Sequence, residues 1–161
     1  MENFKSIFKT IRENNLIKKD DFVLVGLSGG ADSVCLFLAL VEYRKIVPFD
    51  LEVAHINHGV RGKDAENDEV FSKELAGKYD ISSEDAGRRM RYSFFNSIVK
   101  DKSNGKIAVA HHLSDQAETI LMNIIRGSGL EGLSAMNYKN GNIIRPLLDI
   151  DRAEVEKILS E

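Results

Sequence analysis

Apolar and polar residues alternate along the chain with two different periods. Residues 3–16 place Phe4, Ile7, Phe8, Ile11 and Leu16 at near-helical spacing, which predicts an amphipathic helix. Residues 21–27 form a short apolar run, the mark of a parallel strand buried on both faces. Residues 34–43 read as a helix and 51–56 as a second strand. Asp64 is a candidate cap for a helix through about residue 79, with Val70, Phe71, Leu75 and Ala76 on one face. Ser83 is expected to open another helix reaching about residue 100. Residues 106–110 read as a strand, and Ser114 caps a helix that ends near Arg126, where Gly127 stops it. A short strand over 142–145 and a final helix from Asp151 complete the pattern.

Strands alternating with helices predict an α/β fold, a doubly wound and mostly parallel sheet with helices on both faces. Ligands of such sheets sit outside the carboxyl ends of the strands, near the point where strand order reverses. The loops at 28–33, 57–63 and 111–115 all follow predicted strands, so they converge on one edge and make one site. One joint breaks the alternation. The helices expected at 64–79 and 83–100 meet across Asp80, Ile81 and Ser82 with no strand between them. A right-handed crossover between parallel strands takes at least about 10–12 residues. The expectation is therefore that residues are omitted near 78–84; a true deletion, with a shorter sheet and a tight turn between helices, is the alternative.

Length and composition narrow the class. The 161 residues fit a single domain over 1–161, with 43% hydrophobic and 29% charged content, ordinary for a globular protein. No apolar run approaches the roughly 18–20 residues of a membrane-spanning helix, and the mixed-charge N-terminus lacks the apolar core of a signal peptide. A lone cysteine, Cys35, excludes a disulfide framework and a cysteine-based zinc site. These features together favour a cytosolic protein. The net charge of −3 implies that any large RNA is gripped mainly by parts outside this segment.

Candidate chemistry begins at Ser28-Gly29-Gly30-Ala31-Asp32-Ser33, between a buried strand and a helix. The glycines let the backbone turn tightly and approach a ligand. The helix start offers unpaired N–H groups and a positive dipole end, an anion site to which Ser28 and Ser33 add hydroxyls. The loop carries no lysine, so it is not a Walker A motif. Asp32 would be repelled by bare phosphate and makes sense beside Mg²⁺ or a substrate cation. Asp115 and Glu118 share a helix face at i and i+3; a plain acidic surface and a Mg²⁺ or ammonium site both fit. His55 and His58 flank a strand end, with no third ligand at zinc spacing. His112 or its neighbour His111 is placed to donate to a phosphate, and Cys35 reads as core packing.

These stretches also carry a resemblance. Ser28–Ser33 resembles the SGGxDS signature of the N-type ATP pyrophosphatase, or PP-loop, family. Residues 54–61 (AHINHGVR) and 110–119 (AHHLSDQAET) resemble two further segments of that family. Arg126-Gly127-Ser128-Gly129 through Met136, Ile144-Arg145-Pro146-Leu147-Leu148 and Arg88 through Tyr92 are similar to stretches of its lysidine-forming branch. The resemblance covers roughly residues 20–157, with the motifs in the family's order; Ser114 departs from it, standing where many relatives carry an acid.

The resemblance implies an adenine nucleotide alpha hydrolase-like fold, ATP and Mg²⁺ as cofactors, and a ligase that adenylates a cytidine of tRNA(Ile) with a CAU anticodon before free lysine displaces AMP. It implies that Ser28, Gly29, Gly30, Ala31, Asp32, Ser33 and His55 hold the nucleotide, and that Asp32 bears the metal. It also implies catalytic work for Asp32, His112, Asp115 and Glu118, and contacts to tRNA or lysine from Arg61, Arg88 and Arg91. A homodimer fits as well, and the family's C-terminal tRNA-binding domains are expected to lie outside this segment. Two other readings compete: a tRNA 2-thiolation enzyme, which typically needs more cysteines than Cys35, and a nucleotide sensor without turnover, which would need no such carboxylates.

Overall fold

The structure, a computed structural model, describes residues 2–56, 63–81, 83–86, 91–127 and 135–160. A 3₁₀ turn at Glu2–Phe4 leads into α1 (Lys5–Glu13), followed by β1 (Phe22–Leu27), α2 (Ala31–Arg44), β2 (Asp50–Ile56), α3 (Lys63–Lys78) and β3 (Ser83–Ala86). Then come α4 (Arg91–Val99), β4 (Gly105–Ala108), α5 (Leu113–Ile125), β5 (Lys139–Asn140), β6 (Ile143–Ile144) and α6 (Arg152–Ser160). The six strands form one sheet in the order β3-β2-β1-β4-β6-β5, parallel except for the short β5–β6 hairpin at the edge.

Every residue of β1 is buried, as its continuous apolar run requires of a strand covered on both faces. Alternate positions serve two cores. Val23, Val25 and Leu27 pack with Ile7, Phe8 and Ile11 of α1, with Leu36, Phe37 and Leu40 of α2, and with Val155 and Ile158 of α6. Phe22 and Leu24 face the other side, against Phe95 and Val99 of α4 and Ile107 of β4. Helices therefore cover both faces of the sheet. Helix α5 buries no residue, and Leu121, Met122, Ile124 and Ile125 along it stay exposed.

One buried ion pair locks the sheet at its amino edge. Lys106 of β4 donates to the Asp21 carboxylate and to the Leu16 carbonyl oxygen at 2.8 Å. The Lys18 N–H donates to the same Asp21 Oδ2.

Two expectations are corrected. The helix foreseen from Ser83 starts only at Arg91, and Ser83–Ala86 is an edge strand, paired in parallel with β2 from Val53↔Ser83 to Ile56↔Ala86. Pairing with the neighbouring strand overrides the local helical look of a polar Ser-Glu-Asp-Ala stretch. The turn that allows it is tight: Asp80 takes a left-handed φ of 55° and buried Ile81 donates its N–H back to Ala76 at 3.1 Å. In addition, α2 begins at Ala31, three residues before the foreseen start, which brings its first turn into the 28–33 loop.

Candidate active site

β1 is followed to one side by β2 and β3, and the chain crosses to the other side for β4 and β6, so strand order reverses between β1 and β4. The loop after β1 and the segment after β4 meet at this point. His112 Nε2 lies 3.8 Å from Asp32 Oδ2. Two residues far apart in sequence, both singled out above, thus stand together at the carboxyl edge.

The two helices that start here have opposite ends. The α5 terminus is closed by a capping box: His112 Nδ1 accepts from the Ser114 N–H at 3.2 Å, and Asp115 Oδ2 accepts from the His112 N–H at 2.8 Å. The α2 terminus has Gly30 at its cap and no side-chain cap at all. Its open N–H groups and dipole face the loop, the arrangement that attracts an anion. Ser33, buried, braces the loop from within. Its hydroxyl accepts from the Ser28 N–H and Ser28 Oγ, each at 3.2 Å, and donates to the Gly30 carbonyl oxygen at 2.8 Å.

The glycines differ in purpose. Gly29 has φ of 81°, a conformation the turn imposes and other residues resist. Gly30 has an ordinary extended backbone, and a Cβ placed there would meet only Ser28 Oγ, at a comfortable 3.6 Å. The protein's own packing leaves room for a side chain at exposed Gly30, so packing within the chain does not require a glycine there. Gly30→Ala is expected to change stability by no more than about 1 kcal/mol while weakening binding of a phosphate-bearing ligand at this loop about tenfold or more. Thermal melting and calorimetric titration with pyrophosphate check this, and unchanged affinity would refute it.

Asp32 has one carboxylate oxygen, Oδ1, that is buried and has no hydrogen-bond partner among the described residues. A buried carboxylate oxygen without a partner is costly and suits a cation that completes it. Among the described residues no group of three or more His, Cys, Asp and Glu side chains gathers as a metal cage. A cation here would share Asp32 with phosphate oxygens and water, the manner in which Mg²⁺ binds.

Asp115 and Glu118 lie on α5 as expected, but Asp115 also caps its own helix, while Glu118 is exposed. His55, the penultimate residue of β2, pairs with Leu27, next to the loop, and Arg91 opens α4; their side chains, and the whole of Arg61 and Arg88, lie outside what the structure describes.

Arg145 is the residue that sequence reasoning left out of the site. It follows β6, is 9% exposed, and donates from Nε to His111 Nδ1 at 3.2 Å. Its signal was an arginine set inside the apolar run Ile143-Ile144-Arg145-Pro146-Leu147-Leu148. His111 is held below its usual imidazole range, first by burial and then by the Arg145 guanidinium, with Asp115 acting the other way and His112 adding to the lowering. Cys35, buried on α2, has its thiol pushed up to about 12, by burial first and then by Asp32 and Glu154. It should resist alkylation at pH 8 in the native state and react fully in denaturant; rapid native labelling would contradict its burial.

Loop, open helix end and strand reversal together define an α/β domain with an open helix N-terminus at its switch point. The chain belongs to the PP-loop domain family, which it matches over residues 1–161. Among curated proteins it is 41% identical to tRNA(Ile)-lysidine synthase of Caldanaerobacter subterraneus subsp. tengcongensis, over 98% of this chain and 38% of the relative. It is likewise 41% identical to the protein of that name from Clostridium tetani, over 96% of this chain and 37% of the relative. The chain thus spans less than two fifths of the length of these relatives. The first alignment runs over 175 residues, more than the 161 of this chain, so the relative carries residues with no counterpart here. Among solved structures, the U34-tRNA thiolase NcsA of Methanococcus maripaludis, solved with its [4Fe-4S] cluster, shares the fold with a TM-score of 0.77 at 23% identity, over 98% of this chain and 62% of that one. The NH3-dependent NAD synthetase of Campylobacter jejuni aligns at a TM-score of 0.54 and 13% identity, over 99% of this chain and 73% of that one.

Proposed function

We propose that this chain is the adenylating domain of an enzyme that joins lysine to C2 of the wobble cytidine of tRNA(Ile), as the names of its relatives suggest. The observation that carries the reading is the uncapped start of α2 beside the unpartnered Asp32 Oδ1, at the point where strand order reverses.

In the first step the C2 oxygen of cytidine attacks the α-phosphorus of ATP, and the bond to the β-phosphate breaks. The departing pyrophosphate is received by the backbone of 28–33 and the open N–H groups of α2, donors aimed at where charge develops. Asp32 would hold Mg²⁺, which spreads the phosphate charge. In the second step the ε-amine of lysine attacks C2, the C2–O bond breaks and AMP leaves. The amine must first lose the proton it carries below its ordinary pKa of about 10.4. Asp32, Asp115 and Glu118 are the candidate carboxylates to hold the ammonium; with Asp115 engaged in its helix cap and Asp32 holding the cation, Glu118 would take the proton. His112, whose Nε2 lies 3.8 Å from Asp32 Oδ2, would steady that carboxylate during the reaction. Arg61, Arg88 and Arg91 would contact the RNA strand. The relatives' additional residues would fall at the joint between α3 and α4, the short crossover of this chain.

The thiolation alternative is disfavoured by Cys35, whose buried, protonated thiol is unsuited to carry sulfur. The test is the intact gene product with ATP, tRNA(Ile) and lysine. Pyrophosphate release should require the tRNA, and AMP release should additionally require lysine. Pyrophosphate release indifferent to tRNA would sink the reading.

A further inference from the structure

Arg145 and His111 reach the carboxyl edge from adjacent parallel strands. Arg145 directly follows β6, and His111 lies three residues beyond β4. The arginine is pinned at three points besides its burial: its N–H donates to the Tyr138 carbonyl oxygen at 2.9 Å, Nη1 donates to the Asn137 carbonyl oxygen at 2.8 Å, and Nε donates to His111 Nδ1 at 3.2 Å. A guanidinium only donates and stays protonated at any working pH. The nitrogen it faces must therefore be the unprotonated one, which puts the ring proton of His111 on Nε2. Among the described residues no hydrogen bond engages Nε2, and the His111 side chain is half-buried rather than sealed. His111 thus offers one accessible donor of fixed tautomer, next in sequence to the histidine beside Asp32.

We propose that Arg145 is a positioning residue that locks His111 as a neutral imidazole, so that its Nε2–H donates to a phosphate oxygen of the bound nucleotide. The inference rests on the adenylating reading above and adds to it a residue and a protonation state. Neutrality has a purpose in that reaction. An imidazolium at this edge would repel the incoming lysine ammonium and would compete for the same carboxylates, whereas a neutral donor serves the phosphate through both steps. The charged and titratable groups facing His111 are Arg145 and His112, which disfavour its protonation, and Asp115, which favours it. Burial and Arg145 outweigh Asp115 in the net direction.

The test is long-range ¹H–¹⁵N NMR of the histidine side chains in the 161-residue chain, which has four histidines, with His111→Gln supplying the assignment. In the parent protein His111 should stay in the Nε2–H form as pH falls through 6.5, and its Nε2 signal should move when Mg-ATP is added. In Arg145→Met both tautomers should appear, and the titration should move up from the parent's towards the ordinary imidazole range while staying below it, since burial, the larger cause, remains. In the intact gene product the same variant should raise KM for ATP about tenfold, the loss expected for one hydrogen bond to a charged group, with a smaller change in kcat. Ordinary titration of His111 in the parent protein, or an unaltered tautomer in a folded Arg145→Met, overturns the lock. If Mg-ATP shifts the amides of 28–33 but not His111, the nucleotide site stands and the contact to phosphate is wrong. If Mg-ATP shifts neither, the adenylating reading itself fails, and this inference with it.

Discussion

Asp32→Ala is expected to reduce pyrophosphate release by on the order of 10²–10³-fold or more, the loss seen when one preorganised stabiliser of developing charge is removed, while the protein melts no lower than its parent. The two halves of this expectation have one cause. Asp32 Oδ1 is buried without a partner, so in the free protein the carboxylate is a local liability that a bound cation would relieve. Removing it should leave Tm unchanged or raise it by a few degrees, since about 1 kcal/mol corresponds to roughly 2–4 °C in a domain of this size. Sites under functional constraint commonly trade stability in this way. Calorimetric melting and a pyrophosphate assay on the same preparation check both halves. A variant that melts early yet turns over normally once folded would show that Asp32 merely supports the start of α2.

The largest effect on stability is expected at the other edge. Lys106→Met should destabilise the fold by about 3–5 kcal/mol, because it leaves a buried carboxylate without its counter-charge. Asp21 is 3% exposed and Lys106 8%, so neither charge finds water readily once the other is gone. Against a total stability of about 5–15 kcal/mol, the change should lower Tm by on the order of 10 °C. Replacing both partners with apolar residues should recover only part of the loss. The Lys18 N–H and the Leu16 carbonyl oxygen, which now bond to Asp21 and Lys106, would then lack partners. Denaturant titration of the two variants measures this, and a single variant as stable as the parent would refute it.

The parts of this fold that could be read from the chain are those where one physical term dominates. β1 is apolar throughout because it is covered on both faces, and its run of six buried residues announces a parallel strand. Ser28–Ser33 stood out because all six residues fall together between a buried strand and a helix, whereas a glycine pair alone would fit an ordinary turn. β3 was not legible. Its four residues are Ser, Glu, Asp and Ala, and only pairing with β2 makes them a strand. The pairing of Asp32 with His112 followed from placing both loops at one sheet edge. The capping role of Asp115 did not follow, because capping and catalysis ask for the same residue type. Arg145 was visible as a charged residue in an apolar run, but its partner could be known only after β4 and β6 were seen to be neighbours.

The adjacency of β1 and β4 has a kinetic consequence. Phe22 pairs with Gly105 and Val25 with Ala108, so the candidate site does not exist until the chain has closed a loop that contains α2, β2, α3, β3 and α4. Long-range parallel pairing of this kind has a high contact order and is correspondingly slow to form. A half-folded chain carrying only the 28–33 turn would lack the His112 side of the crevice. A ligand held from both sides therefore distinguishes the finished fold from every partial one, and favours it by about 2.7 kcal/mol at a concentration of one hundred times its Kd. During synthesis such a ligand would bind late, after the β4 segment has emerged, and would then act as a brake on unfolding of the whole sheet.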